Sequence, residues 1–175
     1  MTESKAEETK QGLKKTRTGE RNEMADMRKA FEEVRNMLSG EQSGHGFDHV
    51  ERVYRLALEL AEKEGADKEI VGLAALLHDC DDYKLAGEEA AEKLPNARRI
   101  LTMAGADDDM REKVLNIVAR MGYSKSLKGI RPSSLEGKVV SDADMLDAIG
   151  VGGIIRCLQS VSYTHLRAHE TSLHL

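Results

Sequence analysis

The tightest constraint on how this chain can fold is the run Ile70-Val71-Gly72-Leu73-Ala74-Ala75-Leu76-Leu77, which offers no polar face at helical spacing. A helix built from it must be covered on every side, so it predicts a central helix with other elements packed around it. The run leads directly into His78-Asp79-Cys80-Asp81-Asp82. Its C-terminal end therefore carries ionisable groups into a poorly hydrated place, where an unpaired carboxylate is costly. Such a group calls for donors or a cation, and a divalent metal would supply the charge. A His-Asp pair alone is a weak sign, so the reading depends on partners elsewhere in the chain.

At 175 residues the chain is long enough for one domain with a real core. A formal charge of −5 and the lack of a Lys/Arg-rich stripe argue against sequence-independent nucleic-acid binding. Small anionic substrates stay open, because a local positive pocket can sit in an acidic protein. Two cysteines do not make a disulfide framework and no signal-peptide pattern precedes them, so a cytoplasmic location is expected. The apolar run is far too short to span a bilayer, and no membrane role is expected.

Aromatics are scarce and apolar residues recur at spacings of three and four, so an all-α domain is expected, with no clear strand. Residues 1–21 read as a solvated, flexible charged arm. The domain proper is expected over residues 22–160. Its first helix begins near Asn22 with Met24, Met27, Phe31, Val34 and Met37 as its stripe, and ends before Ser39-Gly40. The second begins around Asp48 and stops at Gly65. Two short helices are expected over 87–93 and 95–104, and a longer one from a cap at Asp107 or Asp108 to about Met121. Gly122 to Gly137 reads as a long loop, and Ser141 or Asp142 as the cap of a final helix through Ile155.

Val161-Ser162-Tyr163-Thr164-His165-Leu166-Arg167-Ala168-His169-Glu170-Thr171 resembles the conceptual translation of a transposase-type sequencing adapter. Residues 161–175 are accordingly read as a non-native tail, with the natural chain cut off near Ser160. His165 and His169 have a spacing that could bind metal on a helix. They are nevertheless excluded from the candidate site.

With the tail set aside, the histidines are His45, His49 and His78. His49 lies in register with Val53, Leu56 and Leu60 and should face the core. A core histidine bonded to backbone is the plain alternative. Farther on, Val140-Ser141-Asp142-Ala143-Asp144-Met145-Leu146-Asp147-Ala148 brings three acids together. Taken alone, that segment could be merely an acid-rich helix N-terminus, which the helix dipole favours.

The order His49, His78-Asp79, Asp144 resembles the H, HD, D signature of the HD-domain metal-dependent phosphohydrolase superfamily. Gly44-His45-Gly46-Phe47-Asp48-His49-Val50-Glu51-Arg52-Val53 is similar to the segment around the first ligand, Ala75-Leu76-Leu77-His78-Asp79 to the central motif, and Asp142 to Gly150 to the last. The resemblance covers about Asn22 to Ser160 and implies an HD-domain helical bundle. It makes His49, His78, Asp79 and Asp144 the ligands of one divalent cation. Asp144 is preferred over Asp142 and Asp147 because the family's aspartate follows a small residue and precedes an apolar pair; Asp142 suits a cap better. Manganese, iron, nickel, cobalt and zinc fit such ligands about equally.

The resemblance also implies hydrolysis of a phosphoester or phosphoanhydride bond, most plausibly of a nucleotide, by water activated at the cation. Asp82, at the place of an assisting acid in several relatives, becomes the general acid or base, with Asp79 beside it at the reacting centre. Asp81 stands where many relatives have glycine and reads as part of a solvated acidic loop. Arg52, Lys84, Lys125, Lys128 and His45 are candidates for substrate binding, although Arg52 could instead pair with a carboxylate behind the ligands. No histidine lies between Asp79 and Asp144, whereas the superfamily's binuclear branches use extra ones there, so one metal is expected. The alternatives are a non-catalytic, nucleotide-binding regulatory protein with a structural metal, and a helical interaction protein with none.

Overall fold

The computed structural model describes residues 25–39, 46–82, 87–155, 157, 158 and 161. The expected arm over residues 1–21, His45, Lys84 and the tail beyond 161 lie outside them. The described elements are helices: α1 (Met27–Leu38), α2 (Phe47–Glu64), α3 (Lys68–Leu77), α4 (Glu88–Lys93), α5 (Pro95–Met103), α6 (Asp108–Val118), α7 (Tyr123–Leu127) and α8 (Leu135–Ile149). Among the described residues there is no strand, so the all-α expectation holds. None of their helices is long and apolar enough to cross a membrane.

The centre of the bundle is α3. Asp67 caps it by accepting from the Glu69 and Ile70 N–H groups, and every residue from Ile70 to Leu77 is buried. It touches α1, α2, α6 and α8. Leu73, Leu76 and Leu77 are fully enclosed, each contributing about 1.5–3 kcal/mol by leaving water. Gly72 is where α1 and α2 come closest to it: a Cβ there would lie 3.0 Å from Met27 Cε and 3.2 Å from Tyr54 Cε2. Phe31 of α1 packs edge-on to Phe47 and Tyr54 of α2, with ring centroids 5.0 and 5.9 Å apart.

Helix α1 starts at Met27 behind an Asp26 cap, and its buried positions are Ala30, Val34 and Leu38. Phe31 and Met37, expected in the stripe, are half-buried. In α6 the expected stripe of Met110, Val114, Ile117 and Val118 is buried, with Met121 just beyond the helix end.

Helical residues 151–155 follow the helix of the last motif, which departs from expectation. It begins at Leu135, where the Ser134 hydroxyl accepts the Gly137 N–H, and ends at Ile149 before Gly150. Ser141 and Asp142 are therefore interior positions and not caps, and the expected long loop contains α7. Gly137 misled the sequence reading by resembling a loop glycine. It is a packing point inside α8: an added Cβ would run into Pro132 Cβ and lie 3.2 Å from Ile117 Cγ1. The earlier start gives α8 two additional turns to lie along α2 and α3. Along it, Asp144 reaches His78 at the end of α3, and Asp147 reaches His49 and Arg52 of α2.

Candidate metal centre

His49 occupies the first turn of α2 and is buried among the core residues, as its register predicted. His78 is the C-cap of α3, and Asp79 follows in the turn through Asp81. Three separate elements thus converge. His49 Nε2 lies 3.3 Å from His78 Nε2, 3.6 Å from Asp79 Oδ2 and 3.4 Å from Asp144 Oδ1. His78 Nε2 is 3.5 Å from Asp79 Oδ1 and 4.0 Å from Asp144 Oδ1. His49, His78 and Asp79 each offer a ligand atom within 4.8 Å of the others, and Asp144 joins them through both imidazoles.

The far sides of the two rings are already engaged. His49 Nδ1 donates to Asp147 Oδ2 at 2.8 Å, and His78 Nδ1 donates to the Ala75 carbonyl at 2.8 Å. Both acceptors lack a proton to give, so Nδ1 is the donor in each ring and Nε2 is turned inward, toward the other ring and the carboxylates. A cation between the two Nε2 atoms, 3.3 Å apart, would take a lone pair from each. Ligand atoms about 2.0–2.2 Å from one ion fall about 3–3.5 Å from each other at tetrahedral or octahedral angles, which matches the observed spacing. Two imidazoles and two carboxylates therefore fit a divalent transition metal.

Asp144 and Asp147 are both held below the ordinary carboxylate value. Burial acts to raise the Asp144 pKa, but the His49 hydrogen bond and the His78 charge together outweigh it and hold the carboxyl below its ordinary value. Burial also acts to raise Asp147, and its bonds from Arg52 and His49 reverse that effect. Arg52 grips Asp147 with Nε on Oδ1 at 2.7 Å and Nη2 on Oδ2 at 3.2 Å. Asp147, set aside in the choice of ligands, is thus the acceptor behind His49. A residue 98 positions away gives no local sign of that partnership.

The remaining predicted residues are placed less tightly. Asp82 is half-buried, one turn after Asp79, with its N–H donating to the Asp79 carbonyl at 3.3 Å. Lys125 of α7 is half-buried and donates to the Ala119 carbonyl at 2.8 Å. Burial lowers its pKa, with Asp82 pulling in the opposite direction. The predicted acid or base and one predicted phosphate contact therefore lie within electrostatic reach of each other. Lys128 is exposed at the end of α7.

Asp81 contradicts its expected place in a solvated loop, since it is buried. Its Oδ1 accepts the Asn96 N–H at 3.1 Å and the Asn96 side-chain amide at 2.8 Å, and its Oδ2 accepts the Ala97 N–H at 2.9 Å. Helix α5 has no side-chain cap of its own, and Pro95 in its first turn lacks an N–H. Asp81 supplies the missing acceptor from across the fold. The dipole of α5 favours the negative charge there.

The HD-domain family model matches residues 46–149, which include all four predicted ligands. The chain belongs to the HD-domain family. The uncharacterized protein YpgQ of Bacillus subtilis is 41% identical to it over 124 residues, 70% of this chain and 60% of YpgQ. A crystal structure of YpgQ in complex with ADP superposes with a TM-score of 0.57 at 33% identity, covering 77% of this chain and 69% of that one. A solved Lactobacillus plantarum protein gives a TM-score of 0.71 at 36% identity over 80% of this chain and 64% of its own. An HD-superfamily hydrolase of Bacillus thuringiensis gives 0.59 at 33% identity over 81% and 65%. The fold is that of the HD-superfamily hydrolases. The chain spans about three fifths of the length of YpgQ and somewhat more of the Lactobacillus protein.

Proposed function

We propose that the protein is a mononuclear, metal-dependent phosphohydrolase that cleaves a phosphoester or phosphoanhydride bond of a nucleotide. The observation that carries this reading is the convergence of His49 Nε2 and His78 Nε2, 3.3 Å apart, with the carboxylates of Asp79 and Asp144. The ADP in the YpgQ crystal supports a nucleotide as the ligand class.

A divalent cation held by these four residues supplies positive charge against the phosphoryl oxygens and makes water nucleophilic near neutral pH. Asp82 acts as the general base that accepts a proton from the attacking water, or as the acid that returns one to the leaving oxygen. Lys125, Lys128, Lys84 and His45 bind substrate phosphates, with Lys125 also balancing the charge of Asp82. His78 and Asp79 are adjacent and follow a helix buried all round, so they need little reorganisation to present their ligand atoms.

The test is purified protein with manganese and a panel of nucleoside mono-, di- and triphosphates. Release of phosphate or pyrophosphate that Asp79→Ala abolishes is the expected result. Nucleotide-induced thermal stabilisation with no turnover would replace this reading with the non-catalytic one, in which the metal is a structural clip. Absence of manganese binding in wild type would remove the metal site altogether.

A further inference from the structure

Arg52 lies on α2 one helical turn after His49, a position from which a guanidinium could meet a substrate phosphate. Its fork is instead engaged by Asp147 through both Nε and Nη2. The same carboxylate accepts His49 Nδ1–H, so one anion joins the guanidinium to a ligand ring. Gly152, just beyond α8, lies beside the exposed guanidinium. A Cβ added at Gly152 would lie 3.1 Å from Arg52 Nη2 and 3.3 Å from Cζ. Arg52 is therefore held by the carboxylate of Asp147, with little room for a side chain at Gly152 beside it.

We propose that Arg52 is a positioning residue for the metal centre, acting through Asp147 on His49, and that Gly152 is the seat that keeps its guanidinium in register. A carboxylate bonded only to His49 can rotate and change which lone pair it offers. A bidentate fork fixes the plane of both oxygens. The fixed oxygen holds His49 as the Nδ1–H tautomer, makes the ring a better donor and aims Nε2 at the cation. Lysine has no planar fork and cannot restrain both oxygens. The inference rests on the metal-site reading above and is independent of which bond is hydrolysed, or of whether any is.

Manganese titration calorimetry on wild type, Arg52→Gln, Arg52→Lys and Gly152→Val tests it, together with 15N imidazole shifts of His49 in the metal-free proteins. Circular dichroism establishes that each variant is folded, and Gly152→Ala serves if the valine variant is not. Arg52→Gln is expected to weaken manganese binding about 10–100-fold, with Arg52→Lys losing most of the same affinity. His49 should lose the clean Nδ1–H shift pattern in both. Gly152→Val should reproduce the loss, and the double variant should add little to either single one, as for groups acting in one chain of contacts.

Unchanged manganese affinity and His49 shifts in Arg52→Gln would overturn the proposal. If KM for a nucleotide alone then rose, Arg52 would be a substrate contact. If nothing changed, it would be a surface ion pair. Absence of nucleotide turnover in wild type would count against the phosphohydrolase reading and leave these two readouts intact.

Discussion

His49 and His78 face each other through Nε2 atoms 3.3 Å apart, while Asp147 and the Ala75 carbonyl hold the opposite nitrogens. Two imidazoles and two carboxylates converge there, so metal binding should stabilise the fold. At a free metal concentration one hundred times Kd the gain is about 2.7 kcal/mol. For a chain of this size that corresponds to a rise in Tm of about 5–10 °C. Differential scanning fluorimetry with manganese, cobalt, nickel and zinc measures it. The shift should vanish in His49→Ala and Asp144→Ala, and an equal shift in those variants would place the metal elsewhere.

Replacing Asp81 should matter although it binds nothing in the site. Asp81→Ala leaves the Asn96 and Ala97 N–H groups at the start of α5 without their acceptor, at a cost of about 1–3 kcal/mol. Urea unfolding monitored by circular dichroism should show a lower midpoint with an unchanged slope. The turn from His78 to Asp82 also loses its anchor, so metal affinity should fall alongside stability. A midpoint equal to wild type would mean that solvent satisfies α5.

Gly137→Ala sets two effects against each other. Alanine is the better helix former by about 1 kcal/mol, yet its methyl group would collide with Pro132 beside Ile117. Overpacking costs about 1–3 kcal/mol, so the variant should be less stable than wild type. Equilibrium unfolding decides the sign, and a stabilised variant would show that the segment before α8 yields readily.

Lys125 provides a pH signature. Burial lowers its folded pKa from the ordinary 10.5, with Asp82 opposing. In the window between the lowered value and 10.5 the unfolded chain binds more protons than the folded one, so stability rises with pH. The cost of burying the charge is fully present below that window and is relieved as pH climbs through it. Urea unfolding between pH 7 and 10 should show wild type gaining on Lys125→Met as pH rises. Parallel curves would contradict the burial of this ammonium.

The legible parts of this protein were those whose cause lies nearby in sequence. Eight consecutive positions without a polar face left α3 only one environment, and the register of His49 with Val53 pointed its ring inward. Asp144 was reached through resemblance to a family pattern, not through its own surroundings. The helix carrying it was misplaced because Gly137 resembles a loop residue unless Pro132 is seen beside it. Asp81 and Asp147 were missed as working groups because their partners lie 15 and 98 positions away. A carboxylate in an acid-rich segment looks the same whether it meets water or a helix terminus. Only the packed chain distinguishes the two.

The all-round burial of α3 has a consequence for how this protein can change. Any residue from Ile70 to Leu77 that alters in size displaces neighbours on several sides, and His78 with Asp79 moves with them. The placement of His78 and Asp79 is thus inherited from the whole interior, while Lys128, at the end of α7, is exposed. Exposed positions such as Lys128 can change without that displacement. The geometry of the candidate metal site would then persist through lineages whose exposed residues have diverged.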